Sequence, residues 1–110
     1  MRIPNAERAV VDPAKLSRYC LNSDHPRGRH KARVFAAALG FTAADAEELR
    51  DLLLVAVQGD EAVPAGRDEY GERYAVDFEV SGRAGTASVR SSWVVLTNED
   101  FPRFVTCYVL

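Results

Sequence analysis

Two histidines, three arginines and a lysine occur within nine residues of this chain, from His25 to Arg33. Histidine is the side chain that most often transfers protons near neutral pH, so His25 and His30 are candidates for acid or base chemistry. Lysine and arginine bind phosphate oxygens and stabilise negative charge that develops during a reaction. The segment is therefore a candidate site for chemistry on a phosphate-containing molecule, although the formal net charge of the chain is −2.

The basic loop, Asn22 to Arg29, leads directly into a helix. Pro26 and Gly28 prevent a preceding helix from continuing, and an apolar helical pattern then runs to Leu39 and ends at Gly40. The first turn of a helix presents free N–H groups and the positive end of the helix dipole, which favour a bound phosphate. The residues of this region that we expect to bind phosphate or RNA are Arg27, Arg29, His30 and Arg33.

Lys31 shares one line of this helix with Phe35 and Leu39, at spacings of four residues, and His30 begins the neighbouring line with Val34. We therefore expect Lys31 and His30 to stand at the rim of the apolar core. In that position Lys31 could act in catalysis together with a histidine.

Two further helices are predicted. Asp12 followed by Pro13 is a helix start, because aspartate caps a helix and proline is tolerated at its first position, and this helix should end near Asn22. The T-x-x-D sequence from Thr42 to Asp45 resembles a capping box and predicts a helix that ends at Gly59.

The second half of the chain changes to a period of two, which is typical of strands. The apolar members of the first alternating run are Tyr74, Val76, Phe78 and Val80. Turn residues separate this run from two later strands, and a weaker strand precedes Asp68. We therefore predict a single α+β domain over residues 1–110, with helices packed on one face of a three- to four-stranded antiparallel sheet.

Three residues of these strands are further candidates: Arg90, Thr106 and Tyr74. If they reach the basic loop, the chain contains what metal-independent phosphodiester cleavage needs. His25, Lys31, Arg90 and Thr106 would be catalytic, and Tyr74 would bind RNA. The structural alternatives are that Tyr74 packs in the core and that Arg90 pairs with Asp77 or Glu79 across strands, a contact contributing about 0.2–1 kcal/mol.

Other functional classes have less support. Cys20 and Cys107 lie far apart without CxxC spacing, so we expect two buried thiols rather than a zinc site or a disulfide scaffold. No acidic cluster has the spacing of Mg²⁺ ligands, so no metal or other cofactor is expected. The N-terminal residues resemble neither a signal peptide nor a membrane span, which predicts a cytoplasmic protein with no membrane partner.

The segments YCLNSDHPRGRHKARVFAAALG, DEYGERYAVDFEV and EDFPRFVTCYVL resemble a family of small uncharacterised bacterial domains, and HPRGRHKARVF is the most specific part. That family resembles the C-terminal toxin domains of polymorphic and contact-dependent inhibition systems, which carry HPxGxxKAxxF and a late Val-Thr pair. Those toxins are similar to the barnase, EndoU, colicin and RelE group of metal-independent ribonucleases. The matching residues here are His25, Pro26, Gly28, Lys31, Ala32, Phe35, Val105 and Thr106.

The resemblance implies an RNA-cleaving toxin whose partners are RNA and a cognate antitoxin or immunity-like protein. Because no delivery domain is present, we expect the toxin half of a toxin–antitoxin pair, or a relative that has lost activity. Two alternatives stay open. One is a protein-binding module that uses the last strand or the acidic third helix, and the other is a binder of a small anionic ligand at the basic loop.

Overall fold

The structure, a computed structural model, describes residues 1–110 and places all its helices before its strands. The first helix consists of α1 (Pro13–Lys15) and a π-helical segment (Leu16–Cys20), and short 3-10 turns lie at Ala6–Arg8 and Ala43–Asp45. The remaining elements are α2 (Arg29–Leu39), α3 (Ala46–Val57), β1 (Val63–Arg67), β2 (Gly71–Ser81), β3 (Thr86–Leu96) and β4 (Pro102–Val109). No helix is both long and apolar enough to cross a membrane.

The four strands form one antiparallel sheet in the order β1-β2-β3-β4, and the helices pack on one face of it. The predicted α+β fold is confirmed, and β1 is the weak strand expected before Asp68. Trp93 is fully buried on the helix-covered face, where its ring meets Phe104 edge-on with centroids 5.5 Å apart. Its indole N–H donates to Ser91 Oγ, which in turn donates to the carbonyl of Val76, so the polar atoms of this core are satisfied.

An extra residue interrupts the alternation of β4. Ser92 pairs with Thr106 and Trp93 pairs with Phe104, so Val105 forms a β-bulge. As a result Phe104 and Cys107, three residues apart, are both buried in the core. In a strand without a bulge, residues three positions apart face opposite sides of the sheet, so it is the bulge that brings both side chains into the core.

The first helix begins as predicted, since the Asp12 carboxylate accepts from the N–H of Ala14 at 3.0 Å and Pro13 occupies the first position. The last turn is wider than an α-helical one, because the N–H of Leu21 reaches back to the carbonyl of Leu16 at 2.8 Å. Such π-helical turns are rare and are frequent at functional sites.

Helix α2 buries one face and exposes the rest. Phe35 and Leu39 are fully buried, and Gly40 ends the helix in the left-handed conformation that glycine adopts readily. His30 is exposed and Val34 is 45% exposed, so the line that begins at His30 faces solvent over its first two members. The expectation that His30 stands at the rim of the core is therefore wrong, because the helix presents a narrower apolar face to the sheet than the sequence suggested.

The start of α3 is tied to the β2–β3 hairpin through Asp45. The N–H of Thr42 donates to Asp45 Oδ2 at 2.8 Å, which confirms the predicted capping box. Arg83 contacts the same carboxylate at 2.6 Å and also donates to the carbonyl of Gly40 at 2.8 Å. The hydrogen bond from Thr42, opposed by burial and reinforced by Arg83, lowers the pKa of Asp45.

Replacing this carboxylate should destabilise the protein in a pH-dependent way. We expect Asp45→Ala to lower the free energy of unfolding by about 1 kcal/mol at pH 7, the usual cost of a lost cap. Because the folded-state pKa is lowered, the carboxylate stabilises the fold at neutral pH and loses that effect as the pH falls below about 4. Urea unfolding of both proteins at pH 7 and pH 3 measures this. Glu47→Ala, in the same exposed turn, is the control and should show a smaller change at pH 7.

Candidate active site

A cleft opens where the first helix and the start of α2 meet the bulged edge of β4. Its volume is about 460 Å³, within the range of small-molecule sites. The residues that line it are Lys15, Tyr19, Lys31, Val105 and Thr106. Three distant segments of the chain therefore contribute two ammonium groups, a phenol and a hydroxyl to one concave surface.

The two lysines are held at the cleft by contacts that leave their charges unneutralised. Lys15 Nζ donates to the carbonyl of Phe104 at 3.1 Å. Lys31 Nζ lies 4.8 Å from the centroid of the Tyr108 ring, in a cation–π arrangement. Neither lysine has a carboxylate partner, so both charges are available to an anion in the cleft.

Thr106 contacts a buried thiol behind the cleft wall. Its Oγ1 lies 3.7 Å from Cys20 Sγ, and Cys107, the next residue of β4, is also buried. The hydrogen bond from Cys107, opposed by burial and aided by Thr106 and the charge of Lys31, lowers the pKa of Cys20 to about 6. The same pairing, together with burial, raises the pKa of Cys107.

His25 closes the basic loop through its own side chain. Its Nδ1 accepts from the backbone N–H groups of Arg27 at 3.0 Å and Gly28 at 3.1 Å. A nitrogen that accepts two hydrogen bonds carries no proton, so the neutral ring carries its proton on Nε2. The ring also meets Tyr19 edge-on, with centroids 4.6 Å apart, which places His25 directly behind one wall of the cleft.

Gly28 lets this loop pack against the last turn of the first helix. A Cβ at this position would lie 2.6 Å from the carbonyl oxygen of Tyr19, closer than atoms can approach. The His-Pro-x-Gly sequence thus has a structural explanation. Proline turns the chain, histidine caps the loop and glycine permits the close approach.

The distribution of ion pairs separates this region from the rest of the protein. Of the 14 lysines and arginines, the eight that lie outside residues 15–33 each contact a carboxylate. The six inside that range, which we call the cationic segment, have no such partner, and Asp24 is its only acidic residue. They are Lys15, Arg18, Arg27, Arg29, Lys31 and Arg33.

The sequence-predicted site residues are only partly brought together. Lys31 and Thr106 line the cleft, and His25 lies behind Tyr19. The other members of the cationic segment that were predicted to bind RNA are exposed, as is His30. No three His, Cys, Asp or Glu side chains are grouped as metal ligands.

Two predicted residues lie outside the cleft. Arg90 forms a two-pronged ion pair with Asp77, with both hydrogen bonds at 2.8 Å, as the structural alternative expected. Tyr74 is only 9% exposed and packs in the core opposite Trp93. Neither side chain is placed to contact a ligand of the cleft.

Sequence reasoning did not select Lys15 and Tyr19. They are four residues apart, so they share one face of the first helix. The sequence indicates that a lysine and a tyrosine share one face of the first helix. It does not indicate that this face lies beside β4, because that depends on how the helix docks on the sheet.

The fold and the cleft together define a small α+β domain with an unneutralised cationic cleft. Residues 2–110 match the family described as "Domain of unknown function (DUF6883)", and the chain belongs to that family. A comparison with curated proteins finds no match. The fold is similar to one chain of a solved structure described as "Contact-dependent growth inhibition toxin - immunity protein complex from Klebsiella pneumoniae 342". The TM-score is 0.71 at 19% sequence identity, and the alignment covers 92% of this chain and 99% of that chain.

Substitutions can separate the role of His25 Nδ1 in closing the loop from any role of Nε2. Asparagine places an oxygen where histidine has Nδ1, so we expect His25→Asn to retain the two loop hydrogen bonds. His25→Ala should lose them and lower the free energy of unfolding by about 1–3 kcal/mol. Urea unfolding and hydrogen exchange of the Arg27 and Gly28 amides measure both effects. Unchanged exchange in His25→Ala would contradict the capping role.

Proposed function

We propose that this chain is a toxin-like domain that binds RNA and cleaves it without a metal ion. The observation that carries the proposal is the cationic segment, whose six charges lack carboxylate partners. Two of the six, Lys15 and Lys31, line a cleft of nucleotide size. Nucleic-acid binding depends mainly on contacts between cations and phosphates. A protein with a formal net charge of −2 that leaves one segment unpaired has a local rather than a general affinity for polyanions.

The proposed reaction uses the 2′-hydroxyl of the substrate as its nucleophile. The 2′-hydroxyl loses its proton to solvent water and its oxygen bonds to the adjacent phosphorus. The bond from phosphorus to the 5′-oxygen breaks, and the leaving oxygen takes up a proton. The products are a 2′,3′-cyclic phosphate and a 5′-hydroxyl. Negative charge increases on the phosphate during attack, and Lys15 and Lys31 are placed to stabilise it.

His25 and Thr106 have hydrogen-bonding roles in this scheme. Thr106 offers a hydroxyl to the phosphate at the cleft wall. With Nδ1 engaged by the loop, His25 offers Nε2–H, which makes it a donor to a phosphate or leaving oxygen rather than a base. Arg90 and Tyr74 have no part in the proposed site.

A second turn in the chain supports a role for the imidazole beyond loop closure. Asp68 accepts from the N–H groups of Tyr70 and Gly71 at 2.9 and 3.2 Å, the same pattern that His25 makes with Arg27 and Gly28. A short carboxylate is therefore sufficient to close such a turn. Histidine at position 25 adds a second nitrogen beside the cleft, which aspartate would not provide.

The toxin-like character is supported by the similar fold of a chain from a complex described as a contact-dependent growth inhibition toxin and immunity protein. By analogy, we propose a partner protein with an acidic surface that covers the cationic segment. The edge of β4 is a poorer docking surface, because part of its backbone is already hydrogen-bonded. Val10 pairs with Arg103 there, and Lys15 donates a hydrogen bond to the carbonyl of Phe104.

A non-catalytic binding module is the second candidate, and the loop geometry favours it. The Nδ1 atom of His25 is engaged in closing its own loop, so acid or base chemistry of the imidazole is not required to explain its presence. In that case the cationic segment would bind an acidic partner and cut nothing.

Cleavage of RNA in EDTA distinguishes the two candidates. Purified protein incubated with total RNA in EDTA should generate fragments that end in a cyclic phosphate. Lys31→Gln should slow cleavage by about 100-fold, the usual loss for one group that stabilises the transition state. Arg67→Gln removes one charge far from the cleft, where Arg67 pairs with Glu72, and should leave the rate unchanged. Intact RNA at high protein concentration would support the binding module.

The binding of RNA, like its cleavage, should depend on the cationic segment. The affinity for single-stranded RNA should fall as salt increases, and Lys31→Gln should reduce the slope of log affinity against log salt by about 0.7. Arg67→Gln should keep the wild-type slope. Fluorescence anisotropy measures these slopes. Equal slopes for the wild-type protein and both variants would show that Lys31 does not contact the RNA.

A further inference from the structure

Tyr108 lies beside the cleft, although it is not one of the residues that line it. Beyond its bulge β4 alternates regularly, so Cys107 enters the core while Thr106 and Tyr108 share the opposite side of the strand. Thr106 lines the cleft, and Tyr108 is its neighbour on the same surface. The backbone around Tyr108 is fixed, since the N–H of Leu110 donates to the carbonyl of Ser88 at 2.9 Å.

The ring of Tyr108 contacts one of the two cations of the cleft. Lys31 Nζ lies 4.8 Å from the ring centroid, within the distance of about 6 Å over which an aromatic face attracts an ammonium group. A carboxylate, Asp24, is present in the cationic segment, yet no ion pair joins it to Lys31. A ring has no full negative charge, so this contact orients the ammonium group and leaves its positive charge in place.

A lysine side chain requires such a partner if its charge is to stay in one position. The four-carbon stem is flexible, and ordering it opposes the binding of a ligand. Lys31 is exposed in the first turn of α2, so burial does not restrict its side chain. A contact that forms before the substrate arrives reduces the entropy lost on binding.

Arg90, the second cation near Tyr108, is already neutralised. It lies directly opposite Tyr108 on β3, and Asp77 on β2 binds its guanidinium through two hydrogen bonds at 2.8 Å. An unpaired arginine at this position would compete for the ring and repel the ammonium group of Lys31. The ion pair therefore leaves Lys31 as the unneutralised cation at this ring.

We propose that Tyr108 is a positioning residue, whose ring holds the ammonium group of Lys31 at the cleft without neutralising it. Its effect on cleavage rests on the proposed function, in which Lys31 stabilises charge on the phosphate. The ring does not line the cleft, so it acts through the lysine rather than on the substrate. It supplies a fixed location for the charge before the substrate binds.

Nuclear magnetic resonance tests the contact in the absence of RNA. Protons above the face of an aromatic ring resonate upfield. The ε-protons of Lys31 should therefore be shifted upfield in the wild-type protein and in Tyr108→Phe, and should return to the usual lysine position in Tyr108→Leu. Nuclear Overhauser contacts between Lys31 and the Tyr108 ring are expected in the wild-type protein, which decides the question even if Tyr108→Leu fails to fold. An unshifted Lys31 without such contacts would overturn the proposal.

Cleavage rates test the consequence for the reaction. We expect Tyr108→Leu to slow RNA cleavage by about two- to fivefold, the size of one lost cation–π contact at an exposed site, and Tyr108→Phe to restore the wild-type rate. In a Lys31→Gln background, Tyr108→Leu should cause no further loss, because the ring acts through the lysine. Tyr70→Leu is the control and should match the wild type, since Tyr70 is 60% exposed and does not line the cleft.

The two measurements separate this proposal from the proposed function. If the wild-type protein cleaves no RNA, the proposed reaction is wrong, and the resonances of Lys31 still decide whether Tyr108 holds it. If the wild-type protein cleaves RNA and Tyr108→Leu causes the same loss with and without Lys31→Gln, the ring does not act through the lysine and Tyr108 is not a positioning residue.

Discussion

The extra residue in β4 is the constraint on which the cleft depends. Because Val105 is bulged, Phe104 and Cys107 both enter the core, and Thr106 can face the first helix. Without the bulge, one of these two buried side chains would face away from the helices. The core therefore enforces the bulge, since exposing Phe104 would cost more than one lost ladder hydrogen bond. The shape of the site follows from the packing of the core beneath it.

The charge of the cleft distinguishes it from the rest of the protein surface more clearly than its shape does. Surface ion pairs contribute little stability, typically below 1 kcal/mol each, so the eight paired arginines are not the main support of the fold. Their effect is to neutralise charge over most of the surface. What remains is a cationic segment with one acidic residue, carried by the first helix, the basic loop and the start of α2. An anion approaching this protein encounters unneutralised positive charge mainly there.

His25 both closes its loop and contacts a residue that lines the cleft. Its Nδ1 completes the turn that brings Gly28 against Tyr19, and its ring contacts the tyrosine that lines the cleft. A loop held in this way is rigid enough to present charges in fixed positions, which is how scaffolds commonly carry function. The same hydrogen bonds restrict the chemistry of the ring, because Nε2 alone is left to act on a ligand.

The sequence by itself determined the elements, because their signals are local. Asp12 and Pro13, the capping box at Thr42 and the alternation around Val76 each depend on neighbouring residues, and they correctly predicted three helices and an antiparallel sheet. It also located the concentration of positive charge. The tertiary structure alone decided which charges are neutralised and which side chains meet. Arg90 and Lys31 are both cations in the sequence, yet one pairs with Asp77 and the other lines the cleft. That difference, like the contact of Cys20 with Thr106, arises from helix docking and from a strand bulge, and neither leaves a signature in a short stretch of sequence.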